Sequence, residues 1–267
     1  MSFWGLADQT LISIANFATL LILARALGSS EFGAFVLAYT ALLFLNGIQT
    51  ALVTQPHNVL GQNRQEGDYV RYTSSTALVQ VVFSAILSVV ALVSALAAAK
   101  FASHVAAILL ALAPVITAWQ LQEFVRRILY TEGRLATAFA VDLVSYAGQV
   151  AVLLGLVSFA EIDAPSALYA AGATSAVGAA LGSWKIRHSL RRRADLAALK
   201  VNWVFGKWLA AALAASWFAG QLYIYLTAAM RGATAYQAFE IALAATADRD
   251  AAASESASRA PVNGGVG

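Results

Sequence analysis

The chain has no cysteine among its 267 residues, which excludes a disulfide scaffold, a thiolate metal site and a cysteine nucleophile together. Histidine is almost as scarce. His57, His104 and His188 stand far apart, show no zinc spacing and have no carboxylate neighbour three or four residues away. The residues therefore predict no catalytic residue, no cofactor and no metal, and the chain reads as a non-enzyme. Charge is the next shortage, at 12% of residues where a soluble chain carries about 25%. Apolar residues fill the gap, at 60% of the chain with a mean hydropathy of +0.69. A water-soluble globule cannot be clothed from this composition.

A bilayer core of about 30 Å needs about 20 mostly apolar helical residues. Seven stretches of that kind are predicted: Leu6 to Leu27, Phe35 to Gln55, Thr76 to Ala98, Val105 to Phe124, Phe139 to Phe159, Ser166 to Ile186 and Trp208 to Met230. Helices are required because backbone in lipid must satisfy its own N–H and C=O groups, and the short alternating strands of a barrel are absent from the sequence. The expected fold class is all-α, a polytopic membrane bundle of about seven transmembrane helices. Its expected organisation is a six-helix lobe over 1–186, a basic connection over 187–207, a seventh helix over 208–230 and a polar tail over 231–267. The Ala/Ser/Gly-rich tail lacks core-forming periodicity, so disorder is expected there. Pro165 falls where the first turn of span six should begin, a position that tolerates a missing N–H.

The basic residues alternate between connections. Twelve fall in the loops after spans two, four and six, among them Arg64, Arg126, Arg127, Arg134, Arg187 and Arg191 to Arg193, against Arg25 and Lys100 on the other side. The positive-inside rule then places the N-terminus in the cytoplasm and the end of span seven in the periplasm. The basic run near span seven is read as a topology determinant beside anionic lipid headgroups, not as a nucleic-acid site. Membrane lipid is the partner it implies.

Polar side chains at bilayer depth are costly and face a bundle interior or a hydrated cleft. Gln9, Ser13 and Asn16 share a helical face in span one, Tyr39, Asn46 and Gln49 in span two, and Gln80, Ser84 and Ser88 in span three. Span four ends in Gln120, Gln122, Glu123, Arg126 and Arg127, and span five carries Asp142 and Gln149. Asn16, Arg25, Asn46, Gln49, Gln80, Gln120, Glu123, Arg126, Arg127, Asp142 and Gln149 are the candidate pathway residues. The same stripes also serve as hydrogen-bonding glue between helices. Glu123 and Arg127, four apart, are expected to pair. Asp142, taken as the only intramembrane Asp, reads as a snorkelling or capping group, and His57 as a boundary residue. Gly178 and Gly182, with Gly172 and Ser175 nearby, predict close helix packing.

The first sixty residues resemble a known family. Asp8-Gln9, Asn16-Phe17, Leu23-Ala24-Arg25-Ala26-Leu27-Gly28, Glu31-Phe32-Gly33-Ala34-Phe35, Ala51-Leu52 and Gln55-Pro56 before Val59-Leu60-Gly61 are similar to the amino-terminal end of the Wzx-type oligosaccharide flippases. These O-antigen and exopolysaccharide exporters share a superfamily with the MATE drug exporters. The resemblance implies a bacterial inner-membrane transporter, built as two six-helix lobes around a central cavity, for a polyprenyl-diphosphate-linked oligosaccharide. It also implies cationic residues toward the diphosphate. Arg25 lies in the matching segment, where a turn contact with Glu31 is the structural alternative, and Arg126 and Arg127 lie at the expected cytoplasmic mouth. The resemblance covers the first lobe and one further helix, so the chain is expected to be an incomplete, truncated flippase that needs a second lobe or a second copy as partner. Three other readings stay open: a membrane enzyme acting on polyprenyl-linked sugars, a MATE-like cation-coupled exporter, which requires a buried carboxylate in the first lobe, and a non-transporting membrane partner in polysaccharide assembly.

Overall fold

The computed structural model describes residues 3–190, 194 and 196–231. Nearly all of the expected polar tail lies outside these residues. The described residues are helical, with no strand among them: α1 (Phe3–Ala26), α2 (Ser29–Gln49), a π-helical turn (Thr50–Thr54), α3 (Gln55–Gly61), α4 (Glu66–Ala98), α5 (Ser103–Thr131), α6 (Leu135–Asp142), a second π-helical turn (Leu143–Ala147), α7 (Gly148–Phe159), α8 (Ala164–Lys185), a short 3₁₀ turn (Arg187–Leu190) and α9 (Ala197–Arg231). With the π turns counted as part of their rods, five helical spans, Phe3–Ala26, Ser29–Gly61, Glu66–Ala98, Ser103–Thr131 and Leu135–Phe159, are long and apolar enough to cross a membrane. The 22 residues of α8 cover about 33 Å at 1.5 Å per residue.

Helix ends follow local chemistry. Asp163 caps α8: its carboxylate accepts the Ser166 N–H at 2.9 Å, while the Ser166 hydroxyl oxygen accepts the Asp163 N–H at 3.0 Å. Pro165 sits in the first turn as expected. This reciprocal pair satisfies two donors that a helix start leaves orphaned. The Ser166 hydroxyl and N–H hold the Asp163 carboxyl below the ordinary carboxylate range. At the end of α5, Gly133 takes a positive φ of 70°. Arg134 N–H returns to the Leu129 carbonyl at 2.8 Å and Gly133 N–H to that of Tyr130 at 3.1 Å, the Schellman closure that favours glycine.

Several boundaries differ from the sequence reading. The rod that begins with α2 does not stop before Pro56. Proline lacks an N–H and its ring crowds the preceding turn, and the wide turn at Thr50–Thr54 absorbs both before α3 carries on to Gly61. Helix α4 starts at Glu66, ten residues ahead of Thr76, with Glu66 and Asp68 in the first turn where the helix dipole favours acids. Helix α5 runs on through Arg126 and Arg127 to Thr131, so those two arginines belong to a helix and not to a loop. Helix α9 begins at Ala197, within the segment expected to be a connection.

Helix α5 is the centre, packed most extensively against α4 on one side and α8 on the other. Small residues on α8 allow the approach. A Cβ on Gly172 would meet Val115 at 2.7 Å and one on Gly178 would meet Ser145 at 3.0 Å, while one on Gly182 would collide with Val125. The small-residue pattern of span six is thus a packing face, as its spacing predicts. Helix α9 docks in the same way, with Gly206 laid directly on the backbone carbonyl of Ala51 in the first π turn.

Two apolar clusters fill the bundle. One gathers Leu23, Phe35, Leu42, Leu112, Ile116, Leu153 and Leu168, and the other Val53, Tyr72, Phe124, Ile128, Val141 and Ile186. Along α2, α4 and α5 the residues between these clusters are polar: Gln49, then Gln80 and Ser84, then Gln120, Gln122 and Glu123, all buried. The outward faces are apolar as well, with Ile86, Val89, Val90, Val93 and Leu96 of α4, Leu154 of α7 and Val177 of α8 exposed. A polar layer inside a bundle whose outward faces are apolar is a membrane protein's arrangement, because lipid solvates the outside.

Candidate functional site

The polar layer divides into two groups on opposite sides of α5. On the side of α2 and α4 three glutamines meet. Gln49 Nε2 donates to Gln80 Oε1 at 3.0 Å and to the Gln120 carbonyl at 2.7 Å, and Gln80 Nε2 donates to Gln120 Oε1 at 3.4 Å. Nearby, Ser88 bonds the Ala113 carbonyl and the Thr117 hydroxyl. This group is neutral, and it pins three helices together at mid-depth.

On the side of α1 and α6 the group is charged. Arg126 Nη2 donates to Glu123 Oε1 at 2.7 Å, and Arg127 Nε donates to the same oxygen at 2.9 Å. Arg126 also faces Asp8 Oδ2 through Nη1 and Asp142 Oδ2 through Nε, each at 3.7 Å. Tyr130 donates its hydroxyl to Asp8, and Gln122 Nε2 donates to Asp142 Oδ1 at 3.2 Å. Asp8 is 1% exposed and Asp142 0%, against 13% for Arg126 and 35% for Arg127. Three carboxylates thus share two guanidinium groups, and only one guanidinium is deep. Asp8 Oδ1, Asp142 Oδ2, Gln122 Oε1 and Arg126 Nε are buried without a hydrogen bond. A buried network left part-open in this way costs more than a closed one.

Between this cluster and the first apolar cluster lies a narrow cleft walled by Asn16, Tyr39, Trp119, Tyr146, Gln149 and Ser175, with apolar side chains behind them. Tyr39 stacks on Phe35 and on Trp119 at centroid distances of 6.0 and 5.8 Å. Gln149 Nε2 donates to Thr19 Oγ1 at 3.1 Å.

The predicted residues are distributed as follows. Glu123, Arg126, Arg127 and Asp142 come together, with the Glu123–Arg127 pair formed as its spacing predicts. Asn16 and Gln149 meet at the cleft. Gln49, Gln80 and Gln120 form the separate amide group. Asn46, half-buried, keeps Oδ1 without a partner. Arg25 is exposed in the last turn of α1, away from the others. Glu31 turns instead to the Ala164 N–H at 2.9 Å and to His104 at 3.4 Å, so it ties α2 to α8.

Three sequence readings are corrected. Asp142 neither snorkels nor caps, for it is fully buried against α5, where it faces Arg126 and accepts from Gln122. It is also not the only buried Asp of the spans, because Asp8 lies across Arg126 from it. His57 is interior, stacked on Tyr72 at 5.7 Å with Nε2 at 3.0 Å from the Thr73 hydroxyl. The polar stripe of span one divides: Asn16 lines the cleft while Gln9 and Ser13 are exposed, and the buried row is Asp8, Ala15, Thr19 and Leu23. Asp8, Gln122, Tyr130 and Tyr146 are the site residues that spacing alone missed.

Among the described residues no three His, Asp or Glu side chains come together in a way that would hold a metal ion. The chain matches no protein-family model, no curated protein and no solved structure.

Proposed function

We propose that the chain is one lobe of a membrane transporter of the flippase type, which moves a polyprenyl-diphosphate-linked oligosaccharide across the bacterial inner membrane for O-antigen or exopolysaccharide synthesis. The observation that carries this reading is the charged cluster around Arg126, buried in a bundle whose exterior is apolar. Charges at bilayer depth are expensive and mark a substrate or ion path. In this reading Arg126, held by Asp8, Glu123 and Asp142, is a guanidinium kept from lipid and released toward an anion when one of its acids is neutralised. Arg127, the more exposed of the pair, meets the diphosphate first, and Asn16 and Gln149 line the way inward. The lobe works with a second one, because alternating access rocks two repeats against each other. No covalent step is involved. The twelve basic residues gathered at alternate helix ends and connections favour a cytoplasmic N-terminus.

A second reading, a cation-coupled exporter of the MATE type, is favoured by one specific observation: two deeply buried aspartates, Asp8 and Asp142, flank a single arginine. One experiment separates the two. In a bacterium lacking its own flippase, the chain co-expressed with a second six-helix lobe is expected to restore surface polysaccharide, and Arg126→Ala is expected to abolish it at equal protein level. No restoration by the unaltered chain with its second lobe would overturn the flippase reading, and restoration that survives Arg126→Ala would overturn the role given to Arg126. Extrusion of a cationic dye, lost in Asp142→Asn and without restored polysaccharide, would replace it with the exporter.

A further inference from the structure

A crevice on the outer surface belongs to neither polar group. It runs between the first π turn, α4 and the start of α9, and Val82, Phe83, Ile86, Leu196, Leu199 and Trp203 line it. Val82, Ile86, Leu196, Leu199 and Trp203 are all exposed, so the crevice opens sideways into lipid and not into the bundle interior. Its α4 wall extends from Val79 to Ile86, about 10 Å of helix, the length of the upper part of one acyl chain and far short of a polyprenyl chain.

One end of the crevice is polar and basic. Asn202, next to Trp203, accepts a hydrogen bond from the Tyr72 hydroxyl at 2.7 Å, and the Arg64 guanidinium lies 4.0 Å over the Tyr72 ring. Lys200, exposed, stands in the same helical turn as Leu199 and Trp203. The sequence adds Arg187 and Arg191 to Arg193 just before α9. In the sequence of these segments the acids Glu66, Asp68, Glu132 and Asp195 are fewer than the cations, and Glu132 is already engaged by Ser189 and Arg134. An apolar slot ended by an excess of cations over acids fits a lipid with a fatty chain and an anionic head.

We infer that this crevice binds an anionic glycerophospholipid of the bilayer, with one acyl chain between α4 and α9 and its phosphate beside Lys200 and Arg64. The site rests on the membrane character of the bundle alone, so it stands or falls separately from the transport reading. Bound lipid fills the space beside the glycine-mediated contact of α9 with the π turn, and so holds α9 against the bundle.

The test reconstitutes the full chain in phosphatidylcholine vesicles that carry brominated-acyl phosphatidylglycerol or brominated-acyl phosphatidylcholine, and reads tryptophan quenching. Phosphatidylglycerol is expected to quench at a several-fold lower mole fraction, and Trp203→Phe to remove that extra quenching. Lys200→Gln, at a site exposed enough to spare folding, is expected to weaken the preference about fivefold. Equal quenching by the two lipids would overturn the assignment. So would a preference that ignores Trp203→Phe, which would place the headgroup on the basic segment without the crevice. Displacement of phosphatidylglycerol by a smaller amount of polyprenyl phosphate, or a disulfide between two Ile86→Cys copies, would give the crevice to another occupant.

Discussion

Helix α5 presents a neutral network to α4 and a charged one to α1 and α6 from residues only a turn apart, and the two networks serve different ends. Gln49, Gln80 and Gln120 donate and accept among themselves and fasten the helices at modest cost, because an amide at bilayer depth is far cheaper than an ion. Across the helix, Asp8, Glu123 and Asp142 outnumber the guanidiniums beside them, while both networks leave buried polar atoms without hydrogen bonds, Gln49 Oε1 and Gln120 Nε2 in the first and Asp8 Oδ1 and Asp142 Oδ2 in the second. The first arrangement is what glue requires. The second leaves three buried carboxylates against two guanidiniums.

Removing Arg126 is the strongest way to break this contrast. Arg126→Ala strands carboxylates in the interior and is expected to destabilise the detergent-solubilised chain by about 3–5 kcal/mol, measured by thermal or denaturant unfolding. Adding Asp142→Asn to that variant should recover part of the loss, which a double-mutant cycle would read as coupling. If Arg126→Ala costs no more than a glutamine substitution, the two networks are alike and the functional distinction fails.

The α8 cap lies outside both networks and serves as a control. Asp163→Ala is expected to cost about 1 kcal/mol. Its carboxyl is held low in the folded chain, so the cap's contribution is complete above the ordinary Asp value of about 3.9 and fades as pH falls through the lower folded value. An Asp163→Ala penalty that persists unchanged at pH 2 would show that the carboxylate does not act as the cap. The smallest effect belongs to the amides. Gln80→Leu should cost about 0.6 kcal/mol, and a loss of several kcal/mol there would show that the neutral network carries more than adhesion.

The helical spans could be read from sequence because runs of about 20 apolar residues have few other uses. Their ends were less legible, since a helix continues past the bilayer wherever its residues permit, as α4 does through Asp68 and Arg71. Faces were harder still. In lipid both sides of a helix are apolar, so periodicity carries little signal, and the polar stripe of span one pointed to Gln9 and Ser13 when Asp8 and Thr19 are the buried pair. Glu123 and Arg127 were visible as a local pair four residues apart. Asp8 was not, because its partner Tyr130 lies 122 residues away and no local spacing announces such a contact. The crevice beside Trp203 escaped for the same reason: its walls come from three separate parts of the chain.

The wide turn at Thr50–Thr54 sets the rotational phase of everything that follows it in that rod. One surplus amino acid is wound into a single loop of backbone, and straightening it into ordinary helix would swivel α3 by about 100°. The imidazole of His57 would then sweep away from the Tyr72 ring, and the carbonyl on which Gly206 rests would turn from under it. The two ends of this rod are geared together through one extra link in the chain.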